Sequence, residues 1–130
     1  MKEPHIDLSP SEWQVMECLW EKSPKTGREL TAELEEKMDW NRSTTLTLLR
    51  RMEAKGTVRG DSSGAVRQFY PAFAREDAAL QETEDFLHRV YHGSLSMMVS
   101  AMTRKQAVSK KELDELYEML QTLEGGTSHD

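Results

Sequence analysis

The segment from Asn41 to Gly56 constrains the fold most, because it carries the signals of a helix start, a helix body and a helix end. Asn41 is a favoured N-cap residue, and the residues up to Lys55 are rich in helix formers. Gly56 stands where a helix commonly ends in the left-handed conformation. The sequence therefore predicts a helix that begins near Asn41 and ends before Gly56.

This predicted helix has two chemically different faces when its residues are placed about 100° apart. The face expected to be buried consists of Thr45, Leu48, Leu49 and Met52. The opposite face is polar and basic and consists of Ser43, Thr47 and Arg50, with Leu46 and Arg51 on its flanks. One side is thus expected to pack on a core and the other to lie at the surface.

Two helices and a hairpin surround this segment. Ser/Thr-x-x-Glu capping boxes beginning at Ser9 and Thr26 predict one helix over about residues 10–21 and a second that ends before Asp39. After Gly56, residues 57–61 and 65–70 predict two strands, joined by a Ser62-Ser63-Gly64 turn and stopped by Pro71. Three helices followed by a hairpin predict a winged-helix domain over residues 1–73, in a mainly α chain with a small β wing.

Residues 74–130 are predicted to form a second, helical domain. One apolar stripe consists of Leu80, Leu87, Tyr91, Leu95, Met98 and Met102, and Gly93 is expected to interrupt or bend its helix. A final helix from Lys110 to Leu123 carries Leu113, Leu116, Tyr117, Leu120 and Leu123 on one side, before Gly125-Gly126 frees the tail. A region this short cannot bury these side chains within one subunit, so we interpret it as a homodimerisation domain. A small-molecule pocket lined by the stripe is the less favoured alternative.

The charges are distributed unevenly along the chain. The net charge is −6, yet residues 40–73 carry six basic and two acidic side chains, which gives +4 there and −10 elsewhere. Because screening at physiological salt acts over about 8 Å, a basic patch on an acidic body can still dock on DNA. The charge pattern therefore favours double-stranded DNA as the partner of the winged helix.

The order and spacing of several short motifs resemble the penicillinase-repressor (BlaI/MecI/CopY) family. The motifs are Leu8 to Met16, Trp20, Trp40, the run from Thr44 to Gly56 with its Thr-Leu-Leu-x-Arg-Met core, and Phe69-Tyr70-Pro71. The resemblance extends from residue 6 to about residue 123. It implies a cytoplasmic homodimeric repressor of a palindromic operator, released by signalled proteolysis or by a ligand such as a metal, with a sensor-linked protease as a further partner.

Two departures from the family pattern bear on how the chain is released from DNA. Where the β-lactamase branch is cut at an Asn-Phe bond, this chain has Ala101-Met102, which puts cleavage by the same protease specificity in doubt. Where the copper-responsive branch has paired Cys-x-Cys motifs, this tail reads Gly125 to Asp130 without cysteine, so copper sensing by that route is not expected.

The candidate DNA contacts lie on the helix from Asn41 and on the hairpin. Residues near the start of a recognition helix read base edges in the major groove, and basic and hydroxyl side chains hold phosphates. On the helix the candidates are Arg42, Ser43, Thr44, Leu46, Thr47, Arg50 and Arg51, with Leu46 a candidate for a thymine methyl group. On the wing they are Arg59, Ser62, Ser63 and Arg67.

Other kinds of function find little support in the sequence. No nucleophile paired with a base, no Gly-rich phosphate loop and no zinc hydrolase motif occurs, so neither an enzyme nor a cofactor is predicted. His88 and His92 lie four residues apart in a predicted helix, but they are interpreted as solvated histidines rather than a metal or pH sensor. No long apolar run or signal region predicts a membrane contact. The alternative function is a protein interaction module that uses the C-terminal helices.

Overall fold

The first helix begins at its predicted capping box in the computed structural model, which describes residues 5–126 of the chain. Ser9 Oγ accepts a hydrogen bond from the Glu12 amide at 3.1 Å, and the Glu12 carboxylate accepts one from the Ser9 amide at 2.8 Å. Helix α1 (Pro10–Glu21) follows, as predicted. The box satisfies amides that have no partner within the helix, so local sequence alone sets where α1 begins.

Helix α2 (Gly27–Met38) begins in the same way, with a capping box between Thr26 and Glu29. It ends at Asp39, whose φ of 59° places it in the left-handed region and whose amide donates to the Glu35 carbonyl at 3.0 Å. The predicted break before the next helix is therefore confirmed.

Helix α3 (Arg42–Lys55) is the helix predicted from Asn41. Asn41 Oδ1 accepts a hydrogen bond from the Thr44 amide at 2.8 Å, which caps the helix start. Gly56 has a φ of 88°, a conformation that favours glycine, and its amide donates to the Met52 carbonyl at 3.0 Å. Both predicted ends of the helix are thus confirmed.

The predicted hairpin is confirmed, and it belongs to a three-stranded antiparallel sheet in the order β1-β3-β2. Strand β2 (Val58–Asp61) and strand β3 (Gln68–Pro71) form the hairpin, while β1 (Lys25–Thr26) pairs with the outer side of β3. The sequence did not predict β1, and it placed the start of the second hairpin strand at Ala65, three residues too early. Residues 62–67 form the turn region instead, which makes the wing loop longer than expected.

The core of the winged helix lies where the first three helices meet the sheet. Its buried apolar side chains come from every one of these elements except β1, and they are Val15, Met16, Cys18, Leu19, Leu30, Leu34, Leu49, Met52, Val58 and Phe69. Leu8 and Ala78 join the same cluster from the segments on either side. The chain therefore forms the predicted winged helix, mainly α with a small β-sheet.

Helix α4 (Arg75–Tyr91) contains the division between two compact units, which the structure places between Glu84 and Asp85. The boundary predicted from the sequence lies earlier, between residues 73 and 74. The first turns of α4 belong to the first unit because Ala78, only 1% exposed, packs into the winged-helix core.

The second unit contains the end of α4 and two further helices, α5 (Leu95–Arg104) and α6 (Lys110–Gly126). Gly93, with a φ of 85°, interrupts the helix as predicted. Helix α6 includes both glycines that were expected to free the tail, so that expectation is wrong for them, since glycine weakens a helix by about 1 kcal/mol without forbidding it. The tail beyond Gly126 lies outside the described residues.

Within the described part of the chain, the helices are all too short or too polar to cross a membrane.

Candidate nucleic-acid interface

Helix α3 presents the two faces that its sequence predicts. Thr45, Leu49 and Met52 are buried in the core, and Leu48 is half-buried against it. This packing fixes the rotation of the helix about its axis. As a result, the packing of the buried face determines which residues of α3 lie at the surface.

The outward side of α3 is polar and basic. Its exposed candidates for DNA contact are Arg42, Ser43, Thr44, Arg50 and Arg51. Thr47, also predicted on this side, is half-buried. Leu46 is also half-buried and packs against the core, which leaves only part of its side chain for a contact outside the protein.

A groove of about 560 Å³ lies between the start of α2 and the start of α3. Leu46 and Gly27 meet at its base, where a Cβ on Gly27 would lie 3.6 Å from Leu46 Cδ2. Arg28 and Arg42 line the groove from the two helices, together with the carboxylate-bearing Glu35. Arg28 was not predicted, because it lies outside the basic stretch of residues 40–73; its position as the second residue of α2, just after the Thr26 cap, was the available signal.

The arginines around this groove and on the outward side of α3 have no carboxylate partners. Among residues 5–126, Arg28, Arg42, Arg50 and Arg51 form neither a salt bridge nor a hydrogen bond through their side chains. These four side chains are exposed and no carboxylate is paired with them, so they make this side of the first unit attractive to an anionic surface.

Two basic residues of the same stretch are already engaged. Lys55 Nζ donates to the Glu12 carboxylate and to the Asp7 carbonyl, each at 2.8 Å. Arg67 donates to the Glu53 carboxylate of α3 and to Ser62 Oγ, the latter at 2.6 Å. Among the basic side chains of residues 40–73, Lys55 and Arg67 therefore form ion pairs within the protein. Arg42, Arg50 and Arg51 do not.

The wing is attached to α3 through Arg67. Its guanidinium crosses β2 at Gly60, where a Cβ would overlap the Arg67–Glu53 pair, and lies 5.6 Å from the Phe69 ring centre. Gly60 is thus the residue that lets Arg67 of the wing approach α3 so closely. In this structure its guanidinium links the wing loop to α3, and the predicted contact of Arg67 with DNA stays a prediction.

The other candidate contacts of the wing are Ser62 and Ser63, at its tip, and Arg59, in β2. Ser62 and Ser63 are exposed, and the Ser63 amide donates to the Asp61 carboxylate at 2.9 Å, which lowers the pKa of that carboxyl group. Arg59 is exposed, and its guanidinium lies 5.1 Å from the Tyr70 ring centre. The tip is therefore a hydroxyl-rich turn whose conformation is held by Asp61.

The predicted dimerisation residues lie at the surface of the single chain. Leu80, in the first unit, is 60% exposed, and those in the second unit are half-buried or exposed: Leu87, Tyr91, Leu95, Met98, Met102, Leu113, Leu116, Tyr117 and Leu120. No side chain from residue 85 to residue 124 is fully buried. The second unit thus has amphipathic helices but no closed core.

The predicted histidine pair does not share a helix. His88 lies in the last turn of α4, whereas His92 lies beyond its end with a φ of 55°, so that prediction is wrong. The helix ends at Tyr91 because the Gly93 amide turns back and donates to the Leu87 carbonyl at 2.9 Å. In the described range, no group of three His, Cys, Asp or Glu side chains could hold a metal ion.

The comparisons with known proteins agree with this architecture. The penicillinase repressor family model matches residues 8–122. The penicillinase repressor of Bacillus licheniformis is 30% identical over 114 residues, which covers 88% of this chain and 89% of that protein. The methicillin resistance regulatory protein MecI of Staphylococcus aureus strain N315 is 26% identical over 114 residues, with 88% and 93% of the two chains covered.

Two solved structures are each similar to more than half of the chain. The solution structure of the DNA-binding domain of the repressor BlaI has a TM-score of 0.51 at 26% identity and covers 58% of this chain and 93% of that one. The monomeric form of Bacillus licheniformis BlaI, solved in complex with the blaP half-operator, has a TM-score of 0.52 at 27% identity, covering 57% and 90%. On this evidence the chain belongs to the penicillinase repressor family of winged-helix DNA-binding repressors.

Proposed function

We propose that this chain is a homodimeric transcriptional repressor that binds a palindromic operator in double-stranded DNA and so competes with RNA polymerase. Membership of the penicillinase repressor family supports the repressor role. The complex of a related BlaI with a half-operator supports a mode in which each subunit takes one half of the site. Such a protein would act in the cytoplasm, where its DNA is accessible.

The observation that carries the proposal is the set of unpaired arginines on the outward side of α3 and beside it. Elsewhere in the first unit, Lys37 and Arg75 are paired with carboxylates. Arg42, Arg50 and Arg51 are exposed and have no such partner among the described residues. Their charge is free for phosphates or guanine, while Ser43, Thr44 and Thr47 offer hydroxyl groups to bases or phosphates.

The homodimer is proposed from the second unit. Amphipathic helices whose apolar residues all remain partly or fully exposed require a partner to bury them, and an identical subunit is the simplest partner.

We further propose that a signal releases the repressor. The signal acts by proteolysis in the C-terminal region, with Ala101-Met102 as the position to examine, or by a ligand. The alternative is an interaction module that binds a different protein through the same helices.

A mobility-shift titration on the DNA directly upstream of the gene tests the proposal. The wild type should shift this DNA, and Arg50→Ala/Arg51→Ala should lose most of the affinity, because two unpaired cations are removed from the outward side of α3. Lys111→Ala is the matched control, since Lys111 is an exposed cation of α6 and should bind DNA like the wild type. A chain that is a monomer in sizing chromatography and ignores this DNA would favour the interaction module.

A further inference from the structure

Arg75, the first residue of α4, forms an ion pair with Glu17 in the middle of α1. Arg75 donates from Nε to Glu17 Oε1 and from Nη2 to Glu17 Oε2, both at 3.0 Å, so the two side chains form a bidentate pair. The same carboxylate accepts a hydrogen bond from Trp13 Nε1 at 2.8 Å. A planar guanidinium bound at two points has a fixed direction as well as a fixed distance.

Two tryptophans of α1 complete this attachment. The Arg75 guanidinium lies 5.8 Å from the Trp13 ring centre and 6.0 Å from that of Trp20, within the range of cation–π contacts. The two indoles contact each other edge to face at 5.2 Å, and Trp20 Nε1 donates to the Phe73 carbonyl at 2.9 Å. The residues on both sides of the start of α4 are therefore held by α1.

We term the cluster of Trp13, Glu17, Trp20 and Arg75 the exit clamp. Its main effect is on the position and direction of α4, and its effect on the stability of the fold is small. Side chains of Arg75 and Glu17 are 54% and 37% exposed, and ion pairs with such exposure contribute about 0–1 kcal/mol to stability. The contacts nevertheless fix both the position and the direction of the first turn of α4. Consistent with this, the winged-helix unit includes α4 as far as Glu84.

We infer that the exit clamp is a positioning device that makes the repressor select operators with one spacing between their half-sites. The inference rests on the proposed homodimer, in which α4 leads from the DNA-binding unit towards the dimerisation region. Each added base pair moves a half-site by about 3.4 Å and turns it by roughly 35°. A dimer whose α4 leaves the winged helix in a fixed direction can bind two half-sites at only one spacing. If the direction of α4 varies, the dimer can bind half-sites at several spacings.

Selection from a pool of random-sequence duplexes tests the inference without a known operator. Wild type, Arg75→Lys and Glu17→Gln are each used to select bound duplexes, and the distances between paired half-sites are then counted by sequencing. Arg75→Lys keeps the charge but loses the bidentate geometry, and Glu17→Gln keeps the shape but loses the ion pair. The matched control is Arg89→Ala, which removes another arginine of α4 that lies over Phe86 of its own helix.

The wild type and the control should select one dominant spacing, and the two clamp variants should accept a range of about three or more base pairs. Affinity for a duplex with a single half-site should be the same for all four proteins, which separates a loosened exit from a damaged DNA-binding surface. Clamp variants that keep the spacing of the wild type, or that lose single-site affinity in equal measure, would overturn the inference alone. A wild type that selects no paired half-sites would overturn the proposed homodimeric repressor and the inference with it.

Discussion

Thr45 is the residue of α3 whose environment is least favourable to its chemistry. It is fully buried, and its hydroxyl is the one buried side-chain polar atom of the described residues without a hydrogen-bond partner. Valine has nearly the same shape and no hydroxyl to desolvate. Thr45→Val should therefore raise the free energy of unfolding by about 1 kcal/mol, measured by urea denaturation.

Thr57 provides the control for this substitution. It is also buried, but its Oγ1 donates to the Met52 carbonyl at 3.2 Å. Thr57→Val removes a hydrogen bond and leaves the rest of the site unchanged, so it should lower the free energy of unfolding by about 1 kcal/mol. If both valine variants destabilise the protein equally, the account of Thr45 is wrong.

Glu12 links the acid stability of the protein to its first helix. Burial would raise the pKa of Glu12, but hydrogen bonds from Lys55 and from the Ser9 amide outweigh it and lower the pKa below the ordinary 4.5. A carboxyl group with a lowered pKa in the folded state stabilises the protein above its ordinary pKa, and this contribution is lost as the pH falls through the lowered value. Glu12→Gln should therefore lower stability at pH 7 and flatten the loss of stability below about pH 4.5.

Thermal unfolding followed from pH 7 to pH 3 measures this effect. Glu29→Gln is the matched control, because Glu29 occupies the same place in the exposed capping box of α2, where no lysine joins it. A Glu12→Gln protein that loses stability with falling pH as steeply as the wild type would contradict the role given to the buried carboxylate.

At the scale of elements, sequence predicts those parts whose signals are local. Helix α3 could be predicted because its N-cap, its periodicity and its terminal glycine all lie within the segment itself. Strand β1 could not, since two residues carry no pattern and pair only when the hairpin is in place. The engagement of Lys55 and Arg67 was likewise unpredictable, because their partners Glu12 and Glu53 are brought near by tertiary packing.

The groove between α2 and α3 leads to a prediction for Arg28. If a DNA phosphate lies against this groove, Arg28→Ala should weaken binding and make the slope of log K against log salt less negative by about 0.9 per subunit, or about 1.8 for the dimer. Fluorescence anisotropy with labelled operator DNA at several salt concentrations measures the slope.

Glu35 and Lys111 provide the comparisons for this experiment. Glu35 lines the same groove as Arg28, so Glu35→Gln should strengthen binding by removing a repulsive charge. Lys111→Ala, in α6, should leave the slope unchanged. An Arg28→Ala protein with the slope of the wild type would show that no phosphate contacts this arginine.

At the scale of the whole molecule, the sequence indicated two regions and placed their division between residues 73 and 74. The apolar stripe in the C-terminal half suggested a helical region from residue 74, whereas the compact units divide within α4. The difference arises from Ala78 and Arg75, whose contacts with the core and with α1 depend on packing across distant parts of the chain. A small alanine and a single arginine give no sequence pattern that reveals such contacts.

The exposed apolar side of α6 predicts how the dimer can be disrupted. Leu120 is 53% exposed in the single chain, and in a dimer seam it would be covered. Leu120→Glu places a charge there in both subunits and should weaken dimerisation by at least about 3 kcal/mol, more than a hundredfold in Kd, measured by analytical ultracentrifugation.

Thr122→Glu adds the same charge on the opposite side of α6 and should leave the dimer intact. Unfolding of the winged helix should be unchanged in both variants, because its core contains no residue of α6. Equal effects of the two substitutions on dimerisation would place the seam elsewhere.

The salt dependence of DNA binding by the wild-type protein tests the central claim most directly. In this acidic protein with a net charge of −6, only a local basic surface of the kind seen around α3 can bind DNA with release of counterions. With about three to five phosphates contacted per subunit, log K against log salt should fall with a slope of roughly −5 to −9 for the dimer. A slope near zero would contradict DNA binding through this surface.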